Sequence, residues 1–475
     1  MKITVEQLAG VPPFDYCIVG SGPAGITLAL ALEDAGKRVL LLEGGGESPS
    51  QASQELYRGE TLGHAYRPLD GCRIRAFGGS SNGWGGWCRP LDAVDFEEKP
   101  GLADSGWPIR RSDLAPYAAR ADDFFGLGPP EDEPPLPGAP LKQSRFRYST
   151  VNFGEKYRDR LFASASVAVA LDTSLVAILT DGAAVTGLQV DAGGVRRTLT
   201  AQRYILATGG IENSRLLLWS NQLAQGALIR QPATLGRYWM EHPHFTLGEI
   251  LLRHRAGLHF DEKDVGFVSP SPELMAHKRL LNCGLRIIRG GEAQTLDSIR
   301  RLARVAPRLA SATLHDYRQG QSYGALLRAS WEQRPRAENR VALAAQKDRL
   351  GIPRVALHWT LDDEDKRTAL ESARRLGRYI ADLDLGRLRL DGWLSGSEPF
   401  PDDDELGGCH HMGGTRMART PEQGIVDRDC KVFGQRNLYI AGSSVFPSSG
   451  FANPTYTIVQ LALRLAAHLE QSRTA

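Results

Sequence analysis

The first clear pattern in the chain is an apolar run, Tyr16 to Val19, short enough for one buried strand. Six residues dominated by turn formers follow, Gly20-Ser21-Gly22-Pro23-Ala24-Gly25, and then a helical stretch from Ile26 to Ala35. Gly36 ends that helix, and Arg38 to Glu43 reads as a second buried strand. The order predicts a β-α-β unit with a glycine-rich first turn. Further along, Val167 to Thr180 and Val185 to Val190 read as strands flanking the turn Asp181-Gly182. Arg203 to Ala207 is another apolar strand, followed by Thr208-Gly209-Gly210 and a helix from about Ile211 to Leu218. Leu438 to Ala441 is a last buried strand, and Pro454 to Leu469 a closing helix.

Between these blocks the pattern changes. Phe77 to Trp87 is glycine-rich and aromatic, and Gly128 to Pro140 is rich in proline and acids, as an irregular surface loop would be. From about Gly236 to Phe400 there is more arginine, with longer amphipathic stretches and alternating strands such as Val355 to Thr360. This predicts an α/β protein whose nucleotide-binding domain uses both chain ends and a middle piece, residues 1–100, 150–245 and 401–475. A second domain, residues 101–149 and 246–400, is inserted in it.

Composition narrows the picture. At 475 residues the chain can bury a large core, and 42% hydrophobic with 24% charged residues is ordinary for a globular protein. Lys and Arg total 57 against 55 acids, so a net charge of +2 gives no reason to expect nucleic acid or an anionic membrane as partner. The six cysteines are scattered, without a C-x-x-C pair, which excludes a zinc ribbon and suits reduced thiols. No signal peptide or membrane-spanning run is visible, so a soluble, cytoplasmic protein is expected. His244, His254, His259 and His358 have no metal-ligand spacing, and no metal is expected.

The glycine-rich turn carries the first chemistry. Gly20 permits the sharp turn, Gly22 lets the backbone approach a pyrophosphate, and Gly25 lets the helix pack on the strand. The helix N-terminus favours negative charge. Glu43 closes the second strand, where a carboxylate accepts hydrogen bonds from ribose hydroxyls. The motif by itself does not separate FAD from NAD. There is no second G-x-G-x-x-G, and Leu438 to Ser443 lacks the Gly-Asp typical of disulfide reductases and aromatic hydroxylases.

With these blocks in place, the chain resembles the glucose–methanol–choline (GMC) oxidoreductases. Three blocks carry the resemblance: the N-terminal β-α-β unit; Gly78-Gly79-Ser80-Ser81-Asn82-Gly83-Trp84-Gly85-Gly86; and a C-terminal set. That set is His410 to Met417, Asn437 to Phe446 and Gly450 to Thr455. Weaker echoes are Ala207 to Leu218, Leu235 to Arg237 with His242-Pro243, and Glu332-Gln333 with Asn339 to Val341, while about Gly248 to Ser330 matches nothing identifiable. The family spacing H-x-x-G-x-x-R-M falls on His410, Gly413, Arg416 and Met417, with His411 fitting only another register. Asn453-Pro454 matches the Asn form of the second active-site position, nearer to pyranose and choline oxidases than to glucose oxidase.

The resemblance implies a Rossmann-like FAD-binding domain of three layers (ββα) and an inserted α+β substrate-binding domain on an antiparallel sheet. It implies a hydroxyl-bearing small-molecule substrate, oxygen or another small electron acceptor, and FAD held without a covalent link, since Ser81 to Trp84 contains no histidine. His410 would take a hydroxyl proton while hydride passes to flavin N5, with Asn453 holding the same oxygen. As cofactor contacts it implies Gly20, Ser21, Gly22, Pro23, Ala24, Gly25, Glu43, Gly78, Gly79, Ser80, Asn82, Gly83 and Trp84. Val176, Ala207, Gly209, Asn213, Ala441, Gly442, Asn453 and Thr455 complete that set. His242-Pro243 is expected to be structural. Asn453-Pro454 also reads as a helix N-cap with its first residue, and both roles are compatible. The Arg-rich stretch Leu296 to Leu309 reads as a solvated helix face or, alternatively, as a lid over the site or a membrane-surface helix. The favoured substrate is a secondary hydroxyl of a sugar, polyol or glycoside. The alternatives are a hydrophobic or natural-product alcohol, a non-redox FAD lyase, and a subunit passing electrons to a separate cytochrome or quinone.

Overall fold

The computed structural model describes all residues except 9–12, 100, 254–257, 262, 397, 402–407 and 472–475. His254 lies outside the described residues.

Apolar runs without alternation belong in a sheet covered on both faces, and five of them assemble that way. A five-stranded parallel sheet has the order Leu438–Ile440, Ala201–Leu206, Phe14–Val19, Val39–Leu42, Val167–Ala170. Its register sets Val19 beside Leu42 and Leu206, so the carboxyl ends of the strands finish together. The helices Pro23–Asp34 and Thr455–Gln471 pack on each other over this sheet. A three-stranded antiparallel sheet, Thr173–Thr180, Val185–Ala192 and Val195–Leu199, forms the other layer. This is the Rossmann-like three-layer half, and one large apolar core runs through it.

The apolar run 167–180 is two strands rather than one. It breaks at Leu171-Asp172, where Asp172 adopts a positive φ of 49°. Val167–Ala170 stays in the parallel sheet and Thr173–Thr180 crosses to the antiparallel one. The crossing is held by Asp172 N–H donating to Gly45 O (2.9 Å) and Thr173 N–H to Glu43 O (2.8 Å). Only Asp172-Thr173-Ser174 interrupts the apolar run, and Thr173 and Ser174 are themselves buried because both layers share one core, so periodicity alone does not reveal the change of sheet.

A six-stranded antiparallel sheet forms the second half, in the order Gly386–Leu390, His244–Leu252, Tyr323–Trp331, Cys283–Arg289, Val265–Pro270, Leu141–Gln143. The 20-residue helix Asp363–Asp382 backs it and seals a separate core. Pro353–Trp359, an alternating strand within the inserted stretch, joins neither large sheet. It pairs with Arg340–Lys347 and, in parallel, with Gly59–Gly63. Arg215 anchors this hairpin to the nucleotide half by donating to Pro353 O (2.7 Å) and pairing with Asp348.

The Arg-rich stretch spans two helices, Glu292–Val305 and Pro307–Arg318. The residue before a proline avoids helical backbone, and Ala306 is the break. Arg301 pairs with Glu249 on the six-stranded sheet (2.6 Å), and Ile299 is buried, whereas Val305 is 82% exposed. None of residues 296–309 reaches the cavity described next. The stretch is an amphipathic surface helix pair.

Candidate active site

One cavity of about 860 Å³ runs from the glycine-rich turn to the face of the antiparallel sheet. At its nucleotide end, Gly20, Ser21, Gly22, Pro23, Ala24 and Glu43 lie on the wall. Gly20 has a φ of 103°, and a Cβ there would meet Ala207 O at 2.5 Å, so only glycine fits. Glu43 is bound into the turn: its carboxylate accepts from Ser21 N–H (3.1 Å), Ser21 hydroxyl (2.7 Å) and Gly45 N–H (2.8 Å). The helix Pro23–Asp34 begins at Gly22 with no side-chain cap and no acidic residue in its first turn. Its end therefore presents uncapped partial positive charge to the cavity.

Gly79, Ser80, Gly83 and Trp84 line the middle, with Ala207, Gly209, Gly442, Asn453 and Thr455. The other expected contacts stand behind the wall. Gly25 is packed on the turn, where a Cβ would meet Gly20 O at 1.8 Å. Gly78 and Asn82 close their own loop, Asn82 donating to Phe77 O (2.8 Å). Asn213 accepts from Thr208 N–H (2.9 Å) and donates to Ala441 O (3.2 Å), fixing the turn that holds Gly209. Ala441 is buried there too. Val176 turns into the core, because alternation along its strand gives the cavity face to Leu175 and Thr173 instead.

At the far end, His410 and Asn453 share the cavity wall. Asn453 lies two residues before the helix Thr455–Gln471, whose first turn is closed by Ile458 N–H to Pro454 O (2.9 Å). Beneath His410 lies Glu241, fully buried. Its carboxylate accepts from the His410 N–H (2.8 and 3.0 Å), the His242 N–H (2.9 Å) and the Tyr66 hydroxyl. Burial outweighs those donors and pushes Glu241 up to about 7. The Tyr66 hydroxyl also meets His411 Nε2 (2.9 Å), and while its hydrogen goes to the Glu241 carboxylate, His411 is the donor. Burial lowers His411 to about 3. His411 is thus engaged by Tyr66 and stacked on Trp239.

The His410 ring faces His242, with Nδ1 to Nδ1 at 3.0 Å. Burial, and then the neighbouring rings of His242, His244 and His411, hold His410 well below the usual histidine range. It is therefore neutral near pH 7. The floor beyond it is the antiparallel sheet: His244, Arg286, Arg328 and Ser330, walled by Trp87, Phe146 and Phe267. Arg286 and Arg328 stand directly opposite each other across adjacent strands. Like charges in that register oppose one another. Glu241, Tyr66, Arg286 and Arg328 are not among the sequence-based candidates, and His242 is expected there to be structural. The cluster Glu241-His242-Pro243-His244 was a visible signal; nothing marked the arginine pair before the strands were aligned.

A glycine-rich turn on a parallel sheet, sharing one cavity with an antiparallel floor, defines a dinucleotide-binding domain joined to a second, sheet-based half. Residues 335–462 match the GMC oxidoreductase family, and residues 14–228 match the family described as pyridine nucleotide-disulphide oxidoreductase. The chain is 34% identical over 145 residues to C-glycoside 3-oxidase from Microbacterium trichothecenolyticum, covering 29% of this chain and 26% of that protein. Against 2-methyl-1,2-propanediol dehydrogenase from Mycolicibacterium austroafricanum it is 24% identical, covering 96% and 95%. The chain spans about a quarter of the length of the first curated relatives it matches. The crystal structure of pyridoxine 4-oxidase from Mesorbium loti shares the fold, with a TM-score of 0.58 at 17% identity over 97% of this chain and all of that one.

FAD is the cofactor, and the cradle fits it. Cβ atoms at Gly22, Gly209 and Gly442 would meet no protein atom within 4 Å, so these three glycines open onto space left for a ligand. Among the described residues no helix is long and apolar enough to cross a membrane.

Proposed function

We propose that the protein oxidises an alcohol carbon to a carbonyl, with His410 as the base and Asn453 as the group that positions the hydroxyl. The observation that carries this is the presence of both side chains on the wall of the FAD cavity, with His410 neutral and its ring held by His242 and its backbone by Glu241. Bound FAD supplies the two-electron acceptor. A neutral imidazole takes the hydroxyl proton as the carbon is oxidised, and the positive charge it gains lies beside the reacting oxygen. The Asn453 amide donates to the same oxygen and fixes the orientation of its carbon. The helix starting at Thr455 sets its positive end toward the cavity.

The substrate we propose is a sugar, polyol or glycoside carrying a secondary hydroxyl, reoxidation being by oxygen or another small acceptor. Support comes from the far end of the cavity, where aromatic walls at Trp87, Phe146 and Phe267 face polar groups of His244, Ser330 and the two arginines. Rings that stack on aromatic faces and present several hydroxyls suit such a site. The names of relatives, C-glycoside 3-oxidase and fructose dehydrogenase large subunit, point the same way. We assign residues 1–100, 150–245 and 401–475 to holding FAD, and 101–149 and 246–400 to holding substrate. We further propose a cytoplasmic location, which the six unpaired thiols support.

The test is the visible spectrum of the air-free holoenzyme mixed with sugars, polyols and apolar alcohols. Bleaching by the first two classes is expected, and His410→Ala should slow that reduction by about 10³-fold while FAD stays bound. Bleaching by apolar alcohols alone would overturn the substrate class, and an undiminished His410→Ala would overturn the base.

A further inference from the structure

His242 sits where a sequence reading assigns only scaffolding, yet its ring touches the ring of the proposed base. Nδ1 of His242 and Nδ1 of His410 are 3.0 Å apart, and the rings stand nearly perpendicular, at 79° with centroids 5.0 Å apart. Two neutral imidazoles meeting nitrogen to nitrogen can bond in only one way: one nitrogen carries hydrogen and the other a lone pair. The surroundings of His242 decide which. Its Nε2 is completely buried without a hydrogen-bond partner, and the main chain at Ser449 and Gly450 favours the protonated ring; with Nδ1 already on His410, Nε2 is the nitrogen left to face such acceptors. A bare lone pair on Nε2 beside main-chain acceptors is costlier there than a hydrogen, so we place the hydrogen on Nε2. Nδ1 of His242 is then left as a hydrogen-bond acceptor.

We propose that His242 is a positioning residue that fixes the tautomer of His410: it accepts the His410 Nδ1–H and so leaves the His410 Nε2 lone pair for the substrate hydroxyl. This rests on the reading of His410 as the base. In the reacting complex the substrate O–H bond breaks with its electron pair staying on oxygen, the N–H bond forms at His410 Nε2, and the imidazolium keeps donating Nδ1–H to His242. The arrangement does for His410 what an orienting carboxylate does for a catalytic histidine elsewhere, but with a neutral partner. Burial keeps His242 neutral, lowering it to about 4. Glu241 secures the pair from below by accepting the main-chain N–H of both histidines. The dyad is therefore held at ring and backbone alike.

Two measurements on the holoenzyme test this. In ¹⁵N-histidine-labelled protein near pH 7, the His410 resonances, assigned by their loss in His410→Ala, should show a hydrogen-bearing Nδ1 and a bare Nε2. The reverse tautomer would overturn the proposal, with no turnover required. In steady-state kinetics with a substrate that bleaches the flavin, His242→Leu should lower kcat about 10²-fold with KM changed less than about threefold and FAD content unchanged. His242→Asn, whose side-chain oxygen can occupy the Nδ1 position, should recover kcat to within about tenfold of the parent. Equal losses in Leu and Asn variants, or none in Leu, would sink the proposal. Should His242→Leu not fold, the tautomer measurement decides. If instead His410→Ala retains activity, the base assignment fails first, and the two failures are told apart.

Discussion

Glu241 is the residue whose chemistry departs furthest from what its neighbours in the sequence suggest. It is fully buried, has no cationic partner forming an ion pair among the described residues, and is satisfied by main-chain N–H groups and one phenol. Its folded value of about 7 lies above the ordinary 4.5, so between those pH values the folded protein keeps a proton that the unfolded chain has released. The favourable difference is present at low pH and is lost as pH rises through 7. Relative to Glu241→Gln, the native protein should therefore lose up to about 3 kcal/mol of unfolding free energy between pH 4.5 and 8. Denaturant titrations of both proteins across that range check this, and parallel curves would refute it. His410 was legible beforehand because its spacing to Gly413, Arg416 and Met417 is a local pattern. Glu241 was not, since its meaning lies in a contact with a residue 169 positions away.

At the level of elements, the turn Gly20 to Gly25 separates folding from binding. Gly22 has ordinary backbone angles, φ −71° and ψ −175°, and a Cβ there points into the cavity without touching protein. Gly25 faces Gly20 O with no room at all. Gly22→Val should accordingly fold with a melting temperature close to that of the apoprotein and lose most FAD binding, whereas Gly25→Ala should itself destabilise the β-α-β unit, by about 1–3 kcal/mol. Thermal melts and bound-flavin absorbance distinguish the two, and a Gly22→Val protein that keeps its flavin would contradict the placement of the pyrophosphate. Strand and helix cores were readable because their periodicities are local. Their ends were less so: the break at Asp172 and the surface helix pair around Ala306 depend on which layer a run meets next.

For the molecule as a whole, the site joins distant pieces of chain. The nucleotide cradle comes from the first residues, His410 and Asn453 from near the end, and the floor from strands between them. Because no histidine occurs in Ser81 to Trp84, FAD should leave with acid and appear in the supernatant; yellow colour retained in the precipitate would show a covalent link elsewhere on the wall.

What the sequence determined by itself was the β-α-β cradle and the choice of His410 and Asn453 as candidates, since each is written in consecutive residues whose backbone geometry or spacing is set locally. The tertiary structure alone decided what surrounds them. It put Glu241 and His242 against His410, set Arg286 opposite Arg328, and moved Val176, Asn213 and Ala441 behind the wall. Those are choices of strand register and layer packing, and register depends on which faces are buried against each other, a quantity no single segment contains.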